Sequence, residues 1–346
     1  MLRIIQAGMG GWGRDWARTV LKPDDEVALL ACVDADVASL VQARKELDLP
    51  AERYFSTLAE ALAAVDAEAV LITANLPGHV PLALEALRAG KHVLLEKPFA
   101  PTVDEARQVV DLAAKSNLVL MISQNYRFFP AVQAVRELVR SGSMGEVSGV
   151  SLDFRRYANA AKREGHRHYT IFQPLLADMS IHHFDLMRTI LGQEPLDITC
   201  RAWNPPWSNF DEPAAAFATI DFDGGAVVSY RGSWVSPGPE TPWAGEWGIE
   251  CAGGEIAWTS RDNLGASVDR VTVRPLGKRA RRIELPTLLQ IDRAGSLRAF
   301  ARAVATGEEP ESSGRDNLSS LGLTYAAIES SITGVPVRIA APVPGN

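Results

Sequence analysis

The chain has 346 residues, a formal net charge of −7 and 47% hydrophobic residues. That length suits roughly two domains with packed cores, and the acidic balance excludes the broad basic stripe that nucleic-acid binding requires. Three scattered cysteines (Cys32, Cys200, Cys251) make neither a disulfide framework nor a metal-spaced set, and no apolar run approaches the ~20 residues of a membrane span.

The first third alternates short apolar runs with helical patterns. Strands are predicted at LRIIQA (2–7), VALLACVD (27–34), AEAVLITA (67–74), HVLLEK (92–97) and LVLMIS (118–123). Such continuous runs suit parallel strands covered on both faces. Helices are predicted between them, including 57–65, 81–90 and 103–117, with Gly90 as a left-handed C-cap. Alternating βα units imply a doubly wound parallel sheet, so residues 1–123 are expected to form a dinucleotide-binding Rossmann domain. With no charged leader or cleavage site at the start, the expectation is a cytoplasmic protein with no membrane partner.

The pattern changes after about residue 124. A helix is expected at 130–141 and a strand at 146–157, followed by a polar segment at 158–170. A long helix should open at Pro174 and close at Gly192. Alternating strands with hairpin signals at 222–225 and 252–255 fill 195–286, with GKRARR (277–282) as a solvated hairpin tip, and two helices end the chain near 290–305 and 314–332. Residues 124–346 thus read as an α+β substrate-binding and oligomerisation domain with an open, mostly antiparallel sheet. A homodimer or homotetramer would cover its open face.

Two features of the first domain carry chemistry. Strand one runs into GMGGWG, so Gly8, Met9, Gly10, Gly11, Trp12 and Gly13 form a GxGxxG turn between a strand and a helix. Gly8 suits a tight turn, Gly10 a close approach of pyrophosphate, and Gly13 close helix–strand packing. Asp34 ends the second strand, 21 residues after Gly13, where a carboxylate accepts from ribose hydroxyls and repels a 2′-phosphate. NAD is therefore expected over NADP, while Asp36 reads as the N-cap of the next helix. The second feature is EKP (96–98), at the carboxyl end of a strand, where ligands of such sheets sit. Lys97 would point an amine toward the nicotinamide, and a cis bond to Pro98 is plausible.

GMGGWG, TAN (73–75), EKP, NYRFFP (125–130) and DMSIHHFD (178–185) together resemble the glucose–fructose oxidoreductase/inositol dehydrogenase/MocA family, in consistent order over nearly the whole chain. The resemblance implies oxidation or reduction of a sugar, cyclitol or related polyol with NAD(P). It implies Lys97, Asp178 and His182 as catalytic positions, and Thr73, Asn75, Glu96 and Lys97 as cofactor contacts. FQPLLAD departs from the glycine run often found before the family's aspartate, and His183 is an additional histidine.

Asp178, His182 and Asp185, spaced i, i+4, i+7, would share a helix face. The same spacing admits a metal, but a third ligand is missing, so none is expected. Histidine, with an ordinary pKa near 6.5, makes His182 the first candidate for general base. Lys97 would stabilise charge on the substrate oxygen or act as base itself, and Asp178 would orient His182. Arg127, Tyr157 and His183 are candidate substrate contacts. Two other readings use the same residues: a cofactor-retaining sugar hydrolase or isomerase, and a non-catalytic dinucleotide sensor.

Overall fold

The structure is a computed structural model that describes residues 1–164 and 166–340. The polar segment predicted at 158–170 includes Gly165, and the second domain extends to 341–346; these residues lie outside the described set. The chain divides into two compact units: Met1–Asn125 with Arg293–Leu318, and Tyr126–Asp292 with Ser319–Asn346. Residues 293–318 thus group with the first unit and not with the expected second domain of 124–346.

The first unit is built on β1 (Leu2–Ala7), β2 (Val27–Val33), β3 (Tyr54–Phe55), β4 (Ala69–Ile72), β5 (His92–Leu95) and β6 (Leu120–Ile122). All pairs are parallel, in the order β3-β2-β1-β4-β5-β6. This is the order of dinucleotide-binding sheets, and the strand order reverses between β1 and β4. The four residues of β4 are all buried, as expected for strands covered on both faces. The helices are α1 (Gly11–Trp16, continued by a π turn to Leu21), α2 (Val37–Glu46), α3 (Leu58–Ala64), α4 (Leu76–Arg88) and α5 (Val103–Lys115). Their starts follow local chemistry. Asp36 accepts from the amides of Ala38 and Ser39 at α2, Thr57 and Glu60 form a capping box at α3, and Thr102 accepts from Glu105 at α5. Gly90, at φ +73°, ends the α4 segment.

The second unit has α6 (Pro130–Arg140), β7 (Val147–Arg155), α7 (Ser180–Leu191), β8 (Pro195–Trp203), β9 (Ala215–Phe222), β10 (Val227–Ser233), β11 (Glu246–Cys251), β12 (Gly254–Thr259), β13 (Arg270–Pro275) and β14 (Arg281–Arg282). After β14 come α8 (Asp292–Thr306) and α9 (Gly314–Thr333), both of which touch the division between units, and then β15 (Val337–Arg338). Its nine strands run β14-β13-β12-β11-β7-β10-β9-β8-β15, and only β7 and β10 pair in parallel. Along β9 and β10, Ala218, Ile220, Val228 and Tyr230 point into the core, while Phe217, Thr219, Ser229 and Arg231 face out. Every residue of α7 is buried, so this helix lies in the core and not on its rim.

The expected helix from Pro174 begins only at Ser180. Gln173 adopts φ +42°, and the amides of Met179 and Ser180 both bond the Leu175 carbonyl, which gives irregular turns over 174–179. Asp178 therefore precedes the helix, and the i, i+4 spacing to His182 is not helical spacing.

Candidate functional site

The glycine turn is fixed by contact. Gly8 has φ +101°, and a Cβ there would lie 2.3 Å from the Ala74 amide nitrogen. A Cβ on Gly13 would lie 1.9 Å from the Gly8 carbonyl oxygen. Around Gly10 and Gly11 a Cβ would meet nothing within 4 Å, so the space a phosphate would use is open. Beneath the turn is a polar brace that the sequence did not reveal. Gln6 Nε2 donates to the Gly13 carbonyl (2.7 Å) and to Thr73 Oγ1 (2.9 Å), and Thr73 Oγ1 donates to the Gly8 carbonyl (2.7 Å). Thr73, chosen from the sequence as a cofactor contact, is buried and holds the turn from below. Asn75 is exposed at the N-terminus of α4. Met9 is buried and donates its amide to Asp34 Oδ2 (2.6 Å), while Oδ1 accepts from the Asp36 amide (2.8 Å). Asp34 thus ties β2 to the glycine turn, at the position expected of the ribose-facing carboxylate.

Glu96 stands at the end of β5, where Trp16 Nε1 donates to it at 2.8 Å and the Lys97 amide at 3.2 Å. Burial pushes its carboxyl pKa up, against the opposing pull of Lys97, Trp16, Trp12 and Arg293. This glutamate is held by indoles, so its contacts are structural before any cofactor arrives. Lys97 is half-buried, and its bond to Pro98 is cis. His79, overlooked in the sequence, sits behind this loop. Its Nδ1 is 2.8 Å from the Pro98 carbonyl and its Nε2 2.9 Å from the Ala74 carbonyl, joining the TAN and EKP segments. A neutral ring satisfies only one of these acceptors. Burial nevertheless dominates and pushes the pKa down, with the carbonyls opposing.

The second unit carries Asp178 and His182. His182 is buried and stacks on Tyr126, with ring centroids 4.0 Å apart and planes 5° from parallel. Arg261 lies over the same phenol ring at 4.5 Å and donates Nη1 to its hydroxyl at 2.9 Å. Arg156 lies over Trp243 at 4.1 Å, and Arg261 lies 5.7 Å from that indole. Burial pushes the Tyr126 hydroxyl well above its usual range. Arg261 and Arg156 pull it back, while Asp292 and Asp178 add to the rise. Half-buried Asp178 is therefore electrostatically part of this cluster.

Of the three candidate substrate contacts, two are bonded within the core and one is exposed. Arg127 is buried in a two-pronged pair with Asp185 (2.7 and 2.6 Å), and Ser320 Oγ donates to the same carboxylate at 2.8 Å. Its Nε and Nη2 are both bonded to that carboxylate in the core of the second unit. His183 is fully buried, with Nδ1 3.2 Å from Tyr230 Oη and Nε2 3.0 Å from the Trp243 carbonyl. Tyr157 is exposed, and its amide donates to Glu240 Oε1 at 3.1 Å. A cavity of about 830 Å³ in the second unit lies on the open sheet face among Asp153, Arg201, Phe217, Thr219 and Arg231. None of the candidate residues lines it. Among the described residues no group of three or more His, Cys, Asp and Glu is placed to hold a metal ion.

Burial pushes the His183 pKa down to about 4, opposed by its bond to the Trp243 carbonyl. The unfolded chain, with a pKa near 6.5, binds a proton that the folded chain excludes. The associated stability is present above pH 6.5 and is lost as pH falls toward 4, for a total of about 3 kcal/mol. Urea melts from pH 7 to 4 are expected to show a smaller loss for His183→Gln than for the unchanged chain. An equal loss in both would refute this linkage.

Residues 2–124 match the family described as "Oxidoreductase family, NAD-binding Rossmann fold", and residues 132–256 match the "GFO/IDH/MocA C-terminal domain". The chain is 28% identical over 276 residues to an inositol 2-dehydrogenase of Rhizobium meliloti strain 1021, covering 78% of this chain and 79% of that one. It is 27% identical over 343 residues to a D-apiose dehydrogenase of Paraburkholderia graminis, covering 91% and 84%. An oxidoreductase from Agrobacterium radiobacter, solved with NAD+, L-tartaric acid and magnesium, shares the fold with a TM-score of 0.84 at 22% identity, covering 97% and 98%.

Proposed function

Because the chain belongs to the GFO/IDH/MocA family of oxidoreductases, we propose that it transfers a hydride between a nicotinamide dinucleotide and a carbinol carbon of a sugar, cyclitol or related polyol. The observation that carries this reading is the carboxyl edge of the first sheet. There the open glycines 10 and 11, Asp34 and the braced EKP loop follow β1, β2 and β5, on either side of the reversal of strand order between β1 and β4. Relatives named for inositol and D-apiose support a polyhydroxylated substrate.

The dinucleotide supplies the hydride acceptor, and the protein supplies orientation and electrostatics. Backbone amides at residues 10–13 hold the pyrophosphate, and Asp34 holds the adenosine ribose. Lys97 donates to the substrate oxygen and stabilises its negative charge as hydride leaves. His182, its ring plane fixed by the Tyr126 stack, takes the hydroxyl proton, and Asp178 holds a neighbouring hydroxyl. Lys97 is the alternative proton acceptor. Asp34 favours NAD, because a 2′-phosphate beside that carboxylate meets like charge. Calorimetric titrations should therefore show NADH binding at least tenfold tighter than NADPH, and the reverse preference would overturn the Asp34 assignment.

The outward face of the second sheet, with exposed Phe217 and Val227 and a mixed set of charges, suits a homodimer or homotetramer. Sedimentation equilibrium tests this, and a monomer at micromolar concentration would contradict it.

A further inference from the structure

Trp12 is the one large side chain of the glycine turn left substantially exposed, at 47%. It opens α1, whose residues Trp12, Asp15, Trp16 and Thr19 share one face at spacings i, i+3, i+4 and i+7. A single guanidinium, that of Arg293 at the start of α8, reaches this whole face. Its Cζ lies 4.3 Å over the Trp12 ring and 5.5 Å from the Trp16 ring. Its Nη2 donates to Asp15 Oδ2 at 2.6 Å and to Thr19 Oγ1 at 3.3 Å. Its Nη1 is buried without a hydrogen-bond partner, as suits a cation seated on aromatic faces. Behind the indoles lies the Glu96 carboxyl, bonded by Trp16 and acted on by Trp12 and Arg293. Arg293 therefore fastens α1 to the start of α8, while Trp16 ties the same helix to Glu96 at the end of β5. Arg293 comes from a segment outside the matched Rossmann residues 2–124, yet it groups with the first unit.

We propose that Arg293 is a cofactor-positioning residue, acting through Trp12. Clamped between Arg293 and the Glu96 side of the turn, the indole is held beside the open approach to Gly10 and Gly11 before the dinucleotide arrives. Preset groups do not pay an ordering cost on binding. A desolvated cation over an indole is attracted strongly enough to shift an affinity by about an order of magnitude. Without the clamp, an exposed tryptophan in a glycine-rich turn samples several rotamers, some across the phosphate approach.

This inference rests on the dinucleotide-binding reading, and one experiment separates their failures. NADH affinity is measured by titration calorimetry for the unchanged chain, Arg293→Met, Trp12→Phe and the double variant, each with a thermal melt. Arg293→Met and Trp12→Phe are each expected to weaken binding about tenfold, and the double variant no more than the worse single, because both remove one coupled unit. Arg293→Lys, which keeps a cation over the rings, should restore part of the loss. Unchanged affinity in Arg293→Met would overturn the inference alone, as would losses that multiply fully in the double variant. If Arg293→Met does not fold, Arg293→Lys beside Asp15→Asn carries the test: binding equal to the unchanged chain in both refutes the clamp. An unchanged chain that binds neither NADH nor NADPH would overturn the dinucleotide reading and the inference with it.

Discussion

Lys97→Ala is expected to lower kcat by about 10³-fold, an activation-barrier change of roughly 4 kcal/mol, while NADH affinity stays within about threefold. The lysine is assigned to charge that develops as hydride leaves, so its loss should fall on kcat and leave ground-state binding largely intact. The EKP loop does not depend on the amine for its shape. Glu96 is held by Trp16 and the Lys97 amide, and His79 joins the Pro98 and Ala74 carbonyls. His182→Gln should lower kcat by about 10²–10⁴-fold and abolish the acid limb of the pH–rate profile. If that limb persists in His182→Gln, the proton acceptor is Lys97.

The second large effect concerns stability. Asp185→Ala should destabilise the protein by about 3–5 kcal/mol in urea denaturation, because it removes a buried carboxylate that bonds the Arg127 guanidinium twice. Asp185 is 1% exposed and bonds both Arg127 and Ser320, so solvent cannot compensate for it. Asp178→Asn, at a half-buried position outside the regular helix, should change stability by less than about 1 kcal/mol yet lose most turnover. The two aspartates of DMSIHHFD would then separate into one that holds the fold and one that meets substrate. Equal stability losses in both variants would refute that division.

These residues show what a sequence of this kind makes legible. Continuous apolar runs gave five strands of the first sheet, since burial on both faces leaves a strong pattern. The two-residue β3, Tyr54–Phe55, was too short to leave one. Gly8 and Gly13 were legible because only glycine tolerates those contacts. Arg127 and His183 were not, because a basic side chain in a motif looks the same whether it faces substrate or a buried acid. Burial and partners decide the matter, and these arise from packing. The His182–Tyr126 stack and the seating of Arg293 on Trp12 join residues far apart in the chain, so no local spacing announces them. The displaced start of α7 reflects irregular turns over 174–179, where the Met179 and Ser180 amides share the Leu175 carbonyl, a pairing that no residue type signals.

We propose that this chain moves a hydride between a nicotinamide dinucleotide and a polyol carbinol, and that Lys97 serves the step. The most direct test follows absorbance at 340 nm with NAD+ and a panel of aldoses, cyclitols and anhydro sugars, for the unchanged chain beside Lys97→Met. The account predicts NADH formation with at least one compound, nearly abolished in Lys97→Met. No NADH with any compound, or equal rates in the two proteins, would contradict it.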